Sequence, residues 1–220
     1  GQSSNFNNLK IQNKSEEGVK VQTVAVVTGT LYETDTKVVN GKNIYLASGA
    51  KVINEEGKTE WSHDLTLSGE RTLTEDMKVK GSLYINYGMD MSGHNLDVGK
   101  SLYINDYKYG STFNVSGGKV NVAENMIINS DTKINGGTVN VVGNVRLQRE
   151  SINSAGEKSY SETYDGRLFM ENEADTLNIG GSLVIEEYYG QSVFSAGTID
   201  LKGNLIQYNR YRSVFNAGAN

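Results

Sequence analysis

The chain has 220 residues, with Gly 25, Tyr 13, no cysteine, no proline and a formal net charge of -5. Its 21 lysines and arginines are spread along the whole length, which argues against a nucleic-acid partner, because neutralising phosphates needs clustered cations. Absence of cysteine excludes a disulfide framework, a thiolate metal site and a cysteine nucleophile, and no stretch approaches the roughly 18 apolar residues of a membrane span.

Residues 1–37 are irregular. Val19, Val21, Val24 and Val26 predict strands that act as an N-terminal β cap over an otherwise open sheet edge. From residue 38 to 220 the chain repeats. Apolar residues fall at offsets 0, 2, 6 and 8, first weakly (Val38, Ile44, Leu46; then Trp61, Leu65, Leu67, with Thr59 in the first place). The regular copies are Met77, Val79, Leu83, Ile85; Leu96, Val98, Leu102, Ile104; and Val120, Val122, Met126, Ile128. They continue as Val139, Val141, Val145, Leu147; Leu177, Ile179, Leu183, Ile185; and Ile199, Leu201, Leu205, with Gln207 as the polar substitute. The interval from Val139 to Leu177 is twice the usual one and predicts an extra coil carrying the polar insertion Arg149 to Asp165.

Offsets of 2 mean strands, since alternate side chains share a face. A third apolar segment (Phe113 and Val115, Ile134, Phe194, Phe215) precedes each copy. Small residues such as Gly81, Gly143, Gly181 and Gly203, followed by Ser82, Asn144, Ser182 and Asn204, predict tight corners that tolerate left-handed backbone. One coil cannot satisfy its own backbone donors, so coils must stack. The prediction is an all-β, right-handed parallel β-helix of eight or nine coils, three short strands per coil. Lack of proline fits, because every ladder strand needs its N–H. Ser213 to Gly218 restates Ser192 to Gly197 and stops before the next strand is due, which predicts a boundary within a longer protein with flanking domains.

Asp64 to Asn86, Gly136 to Gln148 and Gly197 to Gln207 together are similar to the repeat region of large secreted or surface proteins of Gram-positive anaerobic bacteria. The resemblance spans Trp61 to Asn220 and implies an adhesin-type stalk or binding platform, extracellular or on the cell surface, with no catalytic motif to carry over.

Candidate sites come from the repeat. Tyr87, Tyr107, Tyr109, Tyr188, Tyr189, Tyr208 and Tyr211 cluster where the second strand ends, so stacking gathers them on one side. A flat apolar ring with a polar tip suits a glycan or protein ligand, and Tyr84 and Tyr103 extend that surface. Asp97, Asn121, Asn140, Asn178 and Asp200 at offset 1 point outward as a hydrogen-bonding ladder. Carboxylates in the loop Glu171, Glu173, Asp175, in Glu186 and Glu187 near Asp106, and in Glu55 and Glu56 have no diagnostic hydrolase or lyase spacing, nor do Arg146, Arg149 and Arg167 beside them. His63 and His94 have no metal-ligand spacing, and Trp61 reads as a core or cap residue. The expected function is therefore a non-enzymatic module without cofactor or metal, binding a host or cell-surface glycan or protein and not inserting in membrane. The alternative is a carbohydrate-active β-helix, and the insertion Arg149 to Asp165 is the expected variable recognition element.

Overall fold

Alternating apolar residues in runs of three can bury one face only by stacking, and the chain does so as a parallel β-helix of about eight turns. The computed structural model describes residues 3–105, 111–147, 149–152, 158–161, 166–186 and 192–208. Three parallel sheets form the walls. The first sheet has seven strands, Glu60–Trp61, Met77–Val79, Asn95–Val98, Lys119–Val122, Thr138–Val141, Thr176–Ile179 and Thr198–Leu201. The second has eleven, running from Ser4–Lys10 and Ala25–Tyr32 through Leu83–Ile85, Leu102–Ile104 and Met126–Ile128 to Leu205–Gln207. The third has six, Arg71–Thr72, Met89–Asp90, Thr112–Asn114, Asp131–Lys133, Leu168–Met170 and Val193–Phe194.

Register is continuous from Trp61 and Leu65 onward, and shifts once near the N-terminus, between Phe6 and Asn8. Trp61, Val79, Val98, Val122, Val141, Ile179 and Leu201 stack as one inward row, and Leu65, Leu83, Leu102, Met126, Val145, Leu183 and Leu205 as another. Together with Met89, Phe113 and Leu168 from the third sheet, these rows as far as Ile179 and Leu183 form one continuous core, with Leu201 packed against its end and Leu205 exposed. At about 1.5 to 3 kcal/mol for each fully buried large side chain, that core is the main stabilising term.

The doubled interval holds no extra coil. Thr138–Val141 pairs directly with Thr176–Ile179, Val145–Leu147 with Leu183–Ile185, and Thr132 with Leu168. The additional residues leave the rod as an antiparallel hairpin, Arg149–Ile152 with Lys158–Ser161. Val38 also departs from the expected pattern, because Val38–Val39 pairs with Val19–Lys20 in a separate two-stranded sheet.

Corner chemistry divides in two. Left-handed backbone occurs between the third and first strands, at the successive pairs Ser92 and Gly93, Ser116 and Gly117, and Asn135 and Gly136. The glycines between the first and second strands serve a different need. A Cβ on Gly81 would lie 2.3 Å from His63 and Asp64 backbone atoms, so glycine there permits close stacking of turns rather than a positive φ.

The third sheet starts at Arg71–Thr72, three turns after the second, which already holds Ser4–Lys10, Ala25–Tyr32 and Ile44–Leu46. Lys51–Ile53 pairs with Ala25–Tyr32 and leaves the lower edge of Arg71–Thr72 facing the turn 47–50. Arg71 fills that position. Its guanidinium donates to the carbonyls of Ala50 (2.7 Å) and Ala47 (2.9 Å), and burial pulls its pKa below the usual arginine value.

Candidate functional site

The three corners of the rod differ in length. Connections from the first to the second sheet are uniformly short (80–82, 99–101, 123–125, 142–144, 180–182, 202–204), and those from the third to the first are 91–94, 115–118, 134–137, 171–175 and 195–197. Only the corner from the second to the third sheet varies widely, from the pair 129–130 to the stretch 148–167, with 86–88, 105–111 and 186–192 between them. Tyr87 lies in this corner half-buried, and Tyr208, 62% exposed, follows Leu205–Gln207 on the same side. Tyr107, Tyr109, Tyr188, Tyr189 and Tyr211 lie outside the described residues.

Tyr84 and Tyr103 belong to the outward row of the second sheet and stack on each other, ring centroids 4.6 Å apart and 6° from parallel. Each ring thus gives one face to its neighbour, which leaves less aromatic surface for a ligand than two separate rings would offer. Further along this row Ile127 and Val184 are buried although they point away from the core. The hairpin strand Arg149–Ile152 approaches Met126–Ile128, beside the point where the chain leaves Val145–Leu147.

Across the variable corner, the outer face of the third sheet forms a groove of about 970 Å³. Its floor is an outward row in which Thr72, Asp90, Asn114 and Lys133 are successive register partners. The turn 48–51 and Glu70 bound it toward the N-terminus. At the other end Phe169 continues the row, with Lys133 Nζ 5.9 Å and Arg167 Cζ 5.6 Å from its ring centroid. Sequence reading missed this groove, because its walls come from a turn whose place depends on the late start of the third sheet.

Outward amides form the expected ladder. Asn121 donates to Asp97 (2.6 Å), Asn140 to Asn121 (2.8 Å) and Asn178 to Asn140 (2.7 Å); Asp200 follows in register and pairs with Lys202. A second ladder, unforeseen, joins Asn129 to Asn105 (3.2 Å) and Asn105 to Asn86 (3.0 Å) beside the variable corner. Its signal was present at offset 9 of three consecutive repeats.

Three of the carboxylates considered for catalysis, Asp175, Glu56 and Glu186, have structural partners. Asp175 is buried and accepts from the backbone N–H groups of Gly136, Glu171 (2.9 Å) and Asn172 (3.1 Å), tying a longer turn to the coil beneath. Arg167 makes a two-pronged bond to Asp131 at 2.6 Å, and Lys58 pairs with Glu56. Glu186 lies 3.4 Å from Arg146, yet burial pushes its pKa up more than the arginine lowers it. Glu187, Asp106 and the side chain of Arg149 lie outside the described residues. His63 bonds the Thr36 carbonyl at 2.8 Å and meets Trp61 edge-on, and His94 Nδ1 stands 3.7 Å from Asp76. Among the described residues no three His, Asp or Glu side chains converge as a metal site would require.

Comparison with known proteins finds no matching family model, no matching curated protein and no matching solved structure. Fold and surface therefore carry the functional argument.

Proposed function

We propose that the chain is a non-enzymatic binding platform, a rigid rod that displays a recognition surface outside the cell. One observation carries this reading: length variation is concentrated in a single corner, next to a groove, while the other two corners keep nearly constant length. A spacer has no reason to gather its long connections on one edge, whereas a scaffold that presents loops does. Resemblance of residues 61–220 to repeat regions of large surface proteins of Gram-positive anaerobes supports the location and an adhesin-type role. The partner class is a host or cell-surface glycan or protein. The alternative of a carbohydrate-processing enzyme is weakened by Asp175, whose carboxylate is engaged with backbone amides, and by Glu186, which faces Arg146.

The test is binding of the protein to immobilised glycans and host matrix proteins, with a Tyr107/Tyr109/Tyr189→Ala variant alongside. Saturable binding that weakens in the variant is the expected result. A parent that binds nothing on the panel would leave the rod as a spacer and sink the reading.

A further inference from the structure

We propose that the groove on the third sheet holds a neutral, linear glycan lying parallel to the rod axis. This rests on the binding-platform reading and gives it a site and a ligand class. Orientation follows from the spacing of the polar groups. Thr72, Asp90, Asn114 and Lys133 come from four successive turns, one residue each, in direct register. Adjacent strands are about 4.8 Å apart, so a polymer along the axis meets a fresh hydrogen-bonding side chain at every turn. A chain laid across the rod would cross strands of only two or three residues before reaching a corner.

The floor is held in place and has capacity to spare. One Asp90 oxygen accepts the Ser92 N–H at 2.7 Å, and the other accepts Asn114 Nδ2 at 3.1 Å. Asn135 in turn donates to Asn114 Oδ1 at 3.4 Å. A carboxylate has about four acceptor sites and a primary amide two donors, so this pair offers both kinds of group at fixed positions, which neighbouring sugar hydroxyls match. Gly88 adds no side chain to the floor, and a Cβ there would press on the Thr112 carbonyl at 3.2 Å.

Charge selects the class of glycan. Lys51 and Lys133 in the lining are matched by Glu70 and Asp90, and the remaining cation, Arg71, is turned to the carbonyls of Ala47 and Ala50. The surplus is one cation, Arg71, whose guanidinium is engaged below the floor, too little to match a uronate, sulfated or phosphorylated chain that brings an anion at every unit. A peptide fits less well. Three of the floor strands, Met89–Asp90, Thr112–Asn114 and Asp131–Lys133, already pair on both sides, and the outer edge of Arg71–Thr72 faces the turn 47–50, so little backbone edge is left for strand addition, and the apolar floor residue Met89 is buried.

Isothermal titration of the whole protein with cellohexaose, mannohexaose, xylohexaose and chitohexaose, beside a hexagalacturonate and the matrix-protein panel, tests this. At least one neutral hexasaccharide should bind, with affinity rising with length up to about four units, the number of turns in the floor. Asn114→Ala removes one ladder residue, and Thr72→Trp fills the groove from an exposed position; both should weaken that binding roughly tenfold or more, the value of one or two hydrogen bonds. Circular dichroism of each variant should match the parent. Neutral binding indifferent to both changes overturns the groove assignment while leaving the platform reading intact, as does binding of matrix protein with no neutral sugar. Preference for hexagalacturonate overturns the neutral class, and no binding of any probe overturns groove and platform together.

Discussion

Thr132 is fully buried in the inward row of the third sheet, and its hydroxyl has no hydrogen-bond partner. Its row neighbours Phe113 and Leu168 are apolar, so the hydroxyl has exchanged water for hydrocarbon without compensation. Thr132→Val keeps the shape and removes the unsatisfied group. The variant should be more stable than the parent by about 1 kcal/mol, read as a higher midpoint in urea; a lower midpoint would mean that the hydroxyl has a partner. At this scale the outward ladder was legible, because Asp97, Asn121, Asn140 and Asn178 share one offset and offset parity decides inside from outside. The ladder of Asn86, Asn105 and Asn129 was equally periodic but lies just beyond a strand, where alternation stops predicting direction. Arg71 was not legible at all, since its inward place depends on a strand missing beneath it.

Two- and three-residue strands have little stability alone, so register between turns decides what counts as an element. Apolar spacing located nearly every strand of the first two sheets, yet it read the interval from Val139 to Leu177 as two coils. A skipped coil and a surface insertion of similar length look alike when both are polar; only strand pairing separates them. The two described strands of the insertion pair with each other in a sheet separate from the walls of the rod, so the insertion should be removable. Ile128 reaches Asp131 through Asn129 and Ser130 alone, and Ile128 and Leu147 are register partners, as are Thr132 and Leu168. Replacing residues 148–166 by Asn-Ser gives the next turn the same corner. The shortened protein should keep its β-type far-ultraviolet spectrum and change its stability in urea by no more than about 1 kcal/mol, because the strand pairing of the rod on both sides of the deletion is retained. Failure to fold would show that the hairpin is part of the folding core. In a protein that still folds, loss of matrix-protein or glycan binding would assign recognition to the insertion.

As a whole the molecule is a one-dimensional stack, in which each turn contacts chiefly the turns on either side and stability is a sum of turn and interface terms. Such a stack unfolds as one unit only if every interface is strong, and the unbroken core predicts that this one does. Trp61, the only tryptophan, is buried in the same inward row as Val141, with Val79, Val98 and Val122 between them. Its fluorescence reports the N-terminal turns, whereas circular dichroism reports the full rod. Val141→Asp places an unpaired carboxylate where the native side chain is 3% exposed, at a cost of several kcal/mol, on the order of 3 to 5. In a single cooperative unit the Trp61 transition in urea should shift to lower concentration together with the dichroism. Leu205→Asp provides the comparison, since Leu205 is 47% exposed in the last described turn and its replacement should change the midpoint little. If Val141→Asp lowers the dichroism midpoint but leaves the Trp61 transition in place, the turns below the substitution fold without those above it, and the rod is a set of separable blocks.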